Sequence, residues 1–433
     1  VSRRIAIVGS GISGLGAAWA LQRDHDLTVF EADDRIGGHT NTVDVSMDGS
    51  TIPVDTGFIV YNEVTYPNLT RLFEHLDVPT EPSDMSYSLS VERDFEYGTS
   101  VRGVLAQPSN LLRRRFRRML RDIGRFRRHG PTLRPGPTDT IGAVLESHGY
   151  SPGFIDDYLM PMAGAIWSAR DREIRRFPAR SILAFLQNHG LIEVVGRPQW
   201  RTVTGGSREY LRRLTASFAD RIVTESPVIR IDRDASGVVV HTPGSAEWYD
   251  EVILATHTDQ ALEILGPGAT VTERRLLEAV RYEENRAVLH SDPSLMPRRR
   301  GVWSSWNSLA WNGDRAGSVA TVTYWMNRLQ NIEGPDLFVS LNPPVDPAPA
   351  LTHAEFRYAH PQFDLAAVAA QGDVTSIQGE RHTWYCGAWL GYGFHEDGLQ
   401  SGFDVAAALG SPVPWYDAVE RASSVRAPSG GTR

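Results

Sequence analysis

The sequence predicts an α/β protein organised on a parallel nucleotide-binding sheet, and three observations predict it. An apolar strand-like run, Ile5–Val8, passes through Gly9-Ser10-Gly11-Ile12-Ser13-Gly14 into an Ala-rich helical pattern ending at Leu21. A second apolar run, LTVFEA, ends near an acid, Glu31, about 20 residues further on. Near the other end of the chain, Thr383–Cys386 runs into glycines and then into a helical pattern from about Asp397.

The first of these is the order a dinucleotide-binding turn requires. Gly9 permits the tight turn, Gly11 lets backbone N–H groups approach a pyrophosphate, and Gly14 removes a side chain so that helix and strand pack closely. Phosphates then lie at a helix N-terminus, where free N–H groups and the positive dipole end favour anions. Glu31 can accept hydrogen bonds from a ribose diol and would repel a 2′-phosphate, which argues against NADP. The turn alone does not choose between NAD and FAD.

After Arg35-Ile36-Gly37-Gly38-His39-Thr40 the chain alternates as a hairpin around Met47-Asp48-Gly49 and delivers Asp55-Thr56-Gly57-Phe58 to the same neighbourhood. Tyr66–Leu76 reads as a helix, and Met85–Tyr97 as two strands around Glu92-Arg93-Asp94. Leu111–Arg128 is the most biased stretch. Leu112, Phe116, Met119, Leu120 and Ile123 recur at helical spacing, while nine arginines and one aspartate occupy 113–128. This basic amphipathic helix has two readings: it lies on an anionic membrane surface, or it packs its apolar stripe on its own domain and solvates its arginines.

Prolines between Gly130 and Pro137 break that helix. Helical patterns resume at Thr140–His148 and Ala179–Gly190, separated by an apolar Tyr158–Trp167 segment. Gly205-Gly206 precedes a helix start. Val228–Arg233, Gly237–Thr242 and Glu251–Ala255 read as three short strands of an antiparallel sheet, the last feeding back into the main sheet. The stretch 285–342 is strand-rich and aromatic, with Trp303, Trp306, Trp311, Tyr324 and Trp325. Pro343–Pro349 is a loop, and 422–433 is expected to be a disordered tail.

A chain of 433 residues with 41% hydrophobic content can bury a large core in two or three domains. Its net charge of −8 gives no overall pull toward nucleic acid. Cys386, the one cysteine, excludes an intrachain disulfide or a cysteine cluster and fits a reducing cytosol. The histidines show no paired metal-ligand spacing, so no metal is expected. A strand starting at Ile5 leaves no room for a signal peptide, and no apolar run nears the ~20 residues that span a bilayer, so a cytoplasmic protein is expected, peripheral on the inner membrane face if the arginine helix binds lipid. All 44 basic residues are arginine. Every mechanism that needs a lysine is therefore excluded.

The combination of GSGISGLGAAWAL, FEADDRIGGHTNTV, DTGFIVYN, TGGSREYL, ESPVIRI and GYGFHEDGLQSG resembles the FAD-dependent amine oxidase, protoporphyrinogen oxidase and phytoene desaturase superfamily. Within it, the chain is most similar to a bacterial NAD/FAD-binding oxidoreductase branch found beside cyclopropane-fatty-acid-synthase-like methyltransferases. The resemblance covers nearly the whole chain and implies a Rossmann-like FAD-binding domain of the glutathione-reductase type with an inserted α+β substrate domain. The FAD domain would comprise 1–68, 199–272 and 377–421, and the substrate domain 69–198 and 273–376. It also implies non-covalent FAD, a small-molecule or lipid substrate, and a lipid methyltransferase as a partner.

Carried over by residue, the resemblance implies that Gly9, Gly11, Ser13 and Gly14 surround the pyrophosphate, with Glu31 and Ala32 at the adenosine ribose. Arg35, Gly37, Gly38, His39 and Thr40 would follow the phosphates and ribityl chain, with Gly57 and Phe58 close by. Val228 would meet adenine through its backbone, Gly387 and Ala388 would neighbour the ribityl chain, and Glu396, Asp397, Gly398 and Leu399 would face the pyrimidine edge, where a helix dipole stabilises anionic reduced flavin. Two departures stand out. Ala388 replaces an acid common in relatives, and no lysine is present to hold a water near flavin N5.

The missing lysine moves the expected chemistry from amine oxidation toward dehydrogenation of a carbon chain. Substrate would reduce the flavin, and oxygen or another acceptor would reoxidise it. Tyr61, Trp389, Tyr392, His395 and Glu396 are the catalytic candidates: Trp389 and Tyr392 as aromatic walls, His395 or Glu396 as proton acceptor. For each, packing or helix capping is the competing role. Cys386, on a buried strand, reads as a core thiol rather than a flavin attachment point. Three function readings follow: an FAD oxidoreductase acting on an apolar substrate such as a fatty acyl chain, a flavin amine oxidase, and a flavin-binding membrane-associated protein without turnover.

Overall fold

The computed structural model describes residues 2–47, 49–191, 198–310 and 321–416. Its first layer is a parallel sheet of five strands in the order Ile222–Val223, Asp26–Phe30, Arg4–Val8, Glu251–Leu254, Thr383–Tyr385. Ile5, Ala6 and Ile7 are fully buried, as a sheet covered on both faces requires. Val8 pairs with both Phe30 and Leu254, so the carboxyl ends of three strands meet at one edge of the sheet, where the glycine loop turns. The helix Ile12–Leu21 leaves that loop and packs along the C-terminal helix His395–Ala408. The two approach closely because small residues face each other: a Cβ at Gly402 would stand 2.3 Å from the Ser13 carbonyl oxygen, and one at Gly16 would stand 2.6 Å from Leu399.

A three-stranded antiparallel sheet, Arg230–Arg233, Val238–His241 and Ala246–Tyr249, caps this layer. The third strand corrects the sequence reading, which placed Glu251–Ala255 there and saw no strand at Ala246–Tyr249. Three of the four residues in AEWY are exposed, so the strand carries no apolar alternation to betray it. Among the described residues Glu251–Leu254 pairs within the parallel sheet, with Arg4–Val8 and Thr383–Tyr385.

The second body is a seven-stranded sheet running from Thr352–Gln362 through Arg281–His290, Phe338–Leu341, Val322–Trp325, Trp306–Ala310 and Tyr87–Val91 to Phe95–Gly98. Helices pack on it, and the apolar Tyr158–Trp167 segment is among them: a π turn, Ile155–Leu159, continues into the helix Met160–Trp167. The arginine helix spans Arg114–His129, not Leu111–Arg128, because a separate 3-10 turn begins at Pro108 and ends at Leu112. Phe116, Met119, Ile123 and Phe126 are buried against the domain, while Leu112 is 80% exposed. Trp311 and the tail 422–433 lie outside the described residues.

Candidate cofactor and active site

The glycine loop is built as its spacing requires. Gly9 has φ +104°, and a Cβ there would stand 2.8 Å from the Ala255 carbonyl oxygen. A Cβ on Gly14 would stand 2.0 Å from the Gly9 carbonyl oxygen, so both positions demand glycine. Gly11 differs: its φ is −69°, and a Cβ there would meet nothing within 4 Å. The chain itself therefore does not need a glycine at 11; the open space does. Gly38 borders the same space, because a Cβ on it would come within 3.3 Å of Gly11 Cα. The result is a cradle at a helix N-terminus that one methyl group would begin to fill.

Around the cradle, the Glu31 carboxylate accepts from the Ser10 backbone N–H at 3.0 Å, from the Ser10 hydroxyl, and from Asp33 N–H at 3.0 Å. Ala32 is exposed. Arg35 donates to the Gly38 carbonyl at 2.9 Å and Gly37 N–H to Ser10 O at 3.0 Å, so the second glycine pair is tied to the first loop. Gly57 comes so close to the His39 carbonyl that a Cβ would stand 2.0 Å from it, and Phe58 N–H donates to that carbonyl at 2.8 Å. Val228 is buried in the cluster shared with Val8 and Phe30.

His39 projects from this loop into a group of rings contributed by distant parts of the chain. Its ring lies 5.0 Å from Tyr358, 5.2 Å from His360 and 6.5 Å from His257. Asn285 Nδ2 bonds His360 Nδ1 at 3.0 Å, and Asn41 Nδ2 donates to the Tyr358 hydroxyl at 3.0 Å. Burial, and then mutual repulsion, hold His39 well below the usual imidazole range; burial takes His360 down to about 4 and also lowers His257. His39 Nε2 is buried with no hydrogen-bond partner among the described residues. A buried imidazole nitrogen left unpaired beside an open cradle matches a polar group of a dinucleotide, and so do the residues that line it. Tyr358, His360 and His257 lie outside the motifs that the sequence offers; only the Ala255-Thr256-His257 strand end stood near one.

At the neighbouring N-terminus of the C-terminal helix, His395 Nε2 bonds Thr40 Oγ1 at 3.0 Å and the Tyr210 hydroxyl at 3.1 Å, while its ring stacks on Phe58 at 3.9 Å. Tyr210 belongs to TGGSREYL, whose role in the site was not legible. Burial lowers His395 to about 3, which makes it the weaker proton acceptor of the two candidates, His395 and Glu396. Glu396 accepts from Asn68 N–H at 2.9 Å, Asn68 Nδ2 at 3.0 Å and Leu69 N–H at 3.0 Å. It thereby caps the helix Pro67–His75; burial raises its carboxyl to about 7 against the pull of those donors. Asp397 accepts from Phe394 N–H at 2.8 Å, and burial raises it to about 6. Gly398 and Leu399 lie against the Ile12–Leu21 helix.

Two of the aromatic candidates change place. Tyr61 is 3% exposed and packs edge-on to Phe73 and Tyr66, in the core beside the parallel sheet. Trp389 is 3% exposed in the cluster with Tyr385 and Val252, and its backbone carbonyl accepts from Gln371. Both rings are packed within core clusters of the nucleotide-binding layer. Tyr392 does join an aromatic wall: Phe185 stands edge-on to it at 5.7 Å, stacks on Phe394 at 5.0 Å and His189 at 3.9 Å, and meets Trp167 at 4.6 Å. His189 is lowered by burial to about 4 and is neutral at physiological pH. Gly387 N–H donates to Ser401 Oγ at 2.9 Å, and the Ala388 carbonyl accepts from Gly393 N–H at 3.1 Å, so these two fix the turn before the helix. Burial pushes the Cys386 thiol up to about 12, as a core thiol would be. Among the described residues no group of three His, Cys, Asp or Glu side chains could hold a metal ion.

Comparison with known proteins returns one consistent picture. The family model described as flavin-containing amine oxidoreductase matches residues 12–288. The protein named as flavin-containing monoamine oxidase AofH, from Mycobacterium tuberculosis, is 26% identical over 260 residues, covering 56% of this chain and 54% of that one. The chain thus spans about half the length of the curated relatives it matches. Among solved structures, a fatty acid isomerase from P. acnes that produces CLA superposes with a TM-score of 0.68 at 16% identity, covering 94% of this chain and 99% of that one. Wild-type putrescine oxidase bound to putrescine superposes with a TM-score of 0.69, also at 16% identity and with 94% and 99% covered.

Proposed function

This chain belongs to the flavin-containing amine oxidoreductase family, and from that premise we propose that it is an FAD-dependent oxidoreductase that removes hydride from an apolar substrate, in the first instance a fatty acyl chain. FAD supplies the hydride acceptor when bound. The chain's own residues would hold and isolate it: Gly11 and Gly38 leave room for the pyrophosphate, His39 offers an unpaired ring nitrogen, and the N-terminus of His395–Ala408 brings its positive dipole end beside the glycine loop. The cluster of Phe185, His189, Tyr392 and Phe394 excludes water from the neighbouring wall.

The observation that supports the substrate class is the make-up of that wall among the described residues: Phe185, His189, Tyr392 and Phe394 pack ring against ring. His189 is neutral, and the nearby carboxylates Glu396 and Asp397 are already occupied by backbone N–H donors. An ammonium entering here would lose its water shell and have to compete with those donors for an anion, whereas a hydrocarbon has no such cost. The same rings favour a second reading, because aromatic faces attract cations and could hold an amine. The fold accommodates both, since one superposable protein is a fatty acid isomerase and another is bound to putrescine.

Anaerobic mixing of the purified flavoprotein with unsaturated and saturated acyl lipids, and separately with a panel of amines, tests the choice. Loss of the visible flavin absorbance with lipids alone is expected. Bleaching by amines and not by lipids would overturn the acyl reading, and bleaching by neither would favour a flavin-binding protein without turnover.

A further inference from the structure

The basic amphipathic helix does not offer its apolar stripe to anything outside the molecule, since Phe116, Met119, Ile123 and Phe126 are in the core. What faces solvent is more specific. Arg114, Arg118, Arg121 and Arg128 recur at helical spacing on the opposite face, and none of them has a hydrogen-bond or ion-pair partner among the described residues. Immediately before this helix, the segment that wraps the edge strand Phe95–Gly98 exposes aliphatic side chains: Val101 by 80%, Leu105 by 52% and Leu112 by 80%. Arg117 donates to the carbonyls of Leu111 at 2.9 Å and Leu112 at 3.3 Å, which pins the apolar turn to the start of the basic face. From Thr99 to Arg121 the chain carries seven arginines and not one acid.

We infer that this surface docks the protein on an anionic lipid bilayer, with the arginines on headgroup phosphates and Val101, Leu105 and Leu112 entering the interface. Guanidinium groups match phosphate oxygens with paired hydrogen bonds. The exposed aliphatics decide between anionic partners. A nucleic acid backbone would pair with the arginines but leave the aliphatics in water, whereas the acyl boundary of a bilayer takes both. Among the described residues no helix is long and apolar enough to cross a membrane, so attachment through this face is reversible and salt-sensitive. Docking does not depend on the identity of the substrate, and it stands if the acyl reading fails.

Sedimentation of the full flavin-loaded chain with vesicles tests it. Vesicles of phosphatidylcholine containing about one-third phosphatidylserine should carry the protein down, and pure phosphatidylcholine should not. The R114Q/R118Q/R121Q variant should bind roughly tenfold to a hundredfold more weakly, and V101S/L112S should weaken binding that persists at raised salt. All of these side chains are on the surface, so both variants should keep the wild-type melting temperature, and a melting control separates lost docking from lost folding. Unchanged binding by the arginine variant overturns the inference. So does equal binding to neutral vesicles, and so does retention by duplex DNA without sedimentation by any vesicle.

Discussion

Gly11 separates what the fold needs from what the cofactor needs. At Gly9 and Gly14 a side chain would collide with carbonyl oxygens, so substitution there harms the apoprotein and the holoprotein together. At Gly11 the backbone is in an ordinary extended conformation and the space beyond is open. Gly11→Ala should therefore leave the apoprotein within about 1 kcal/mol of wild type in urea unfolding, the modest cost of alanine at a helix N-cap, yet purify with little or no flavin. Equal flavin content in the variant would mean that the phosphates do not approach position 11. The glycines could be read from the sequence because their chemistry is in their spacing. The aromatic candidates could not: Tyr61, Trp389 and Tyr392 are the same kind of side chain, and only the fold buries the first two and leaves the third half-buried beside Phe185. His395 and Glu396, on the cofactor helix itself, were legible as candidates, but not how folding sets their proton affinity: burial lowers the first to about 3 and raises the second to about 7. Whether a histidine is neutral depends on its burial, and whether a carboxylate is committed depends on partners such as Asn68, 328 residues away from Glu396.

The arginine helix shows what an element's own pattern can reveal and where it stops. Its period of buried Phe116, Met119 and Ile123 was legible, and the structure uses that stripe internally, as most amphipathic helices do. Phe116 is 1% exposed and packs against Phe95 and Tyr97, so Phe116→Ala should cost about 3–5 kcal/mol, whereas Arg118→Gln, on the far face, should change stability by less than about 0.5 kcal/mol. Chemical unfolding of the two variants checks this, and similar effects from both would show that the helix is not seated by its apolar face. The strand Ala246–Tyr249 marks the opposite limit. With Glu247 and Trp248 exposed, it is held by its register with Val238–His241, and no local pattern could have announced it.

At the scale of the whole molecule, the two sheets are brought together through groups whose proton affinity folding has changed. His39 follows the glycine loop and His360 lies on the long edge strand of the second sheet, so their approach depends on how the two bodies meet and is invisible in a single sequence. Such contacts make stability depend on pH. Burial lowers His189, His290 and His360 to about 4 and His395 to about 3, and it also lowers His25, His39, His257 and His353. An unfolded chain takes up protons at these positions near pH 6.5, while the folded chain refuses them, so their contribution is complete above that pH and is lost as pH falls through the folded values. Among the described residues four carboxyls oppose the trend. Asp55 and Asp397 are raised to about 6 and Glu396 to about 7, with Asp171 also raised, so the folded chain keeps protons there that the unfolded chain releases above about pH 4. Their effect is to stabilise as pH drops from 7. His25 and His353 are close to solvent and count for little, but the six deeply buried imidazoles still outnumber the four raised carboxyls, so the net slope follows the imidazoles. Each fully resisted protonation is worth up to about 1.4 kcal/mol per pH unit below 6.5. The urea midpoint of the apoprotein should therefore fall by several tenths molar or more between pH 7 and pH 5, roughly what a few kcal/mol implies for a chain of this size. A midpoint that stays level or rises on acidification would mean that the buried histidines are hydrated in the folded chain and titrate normally.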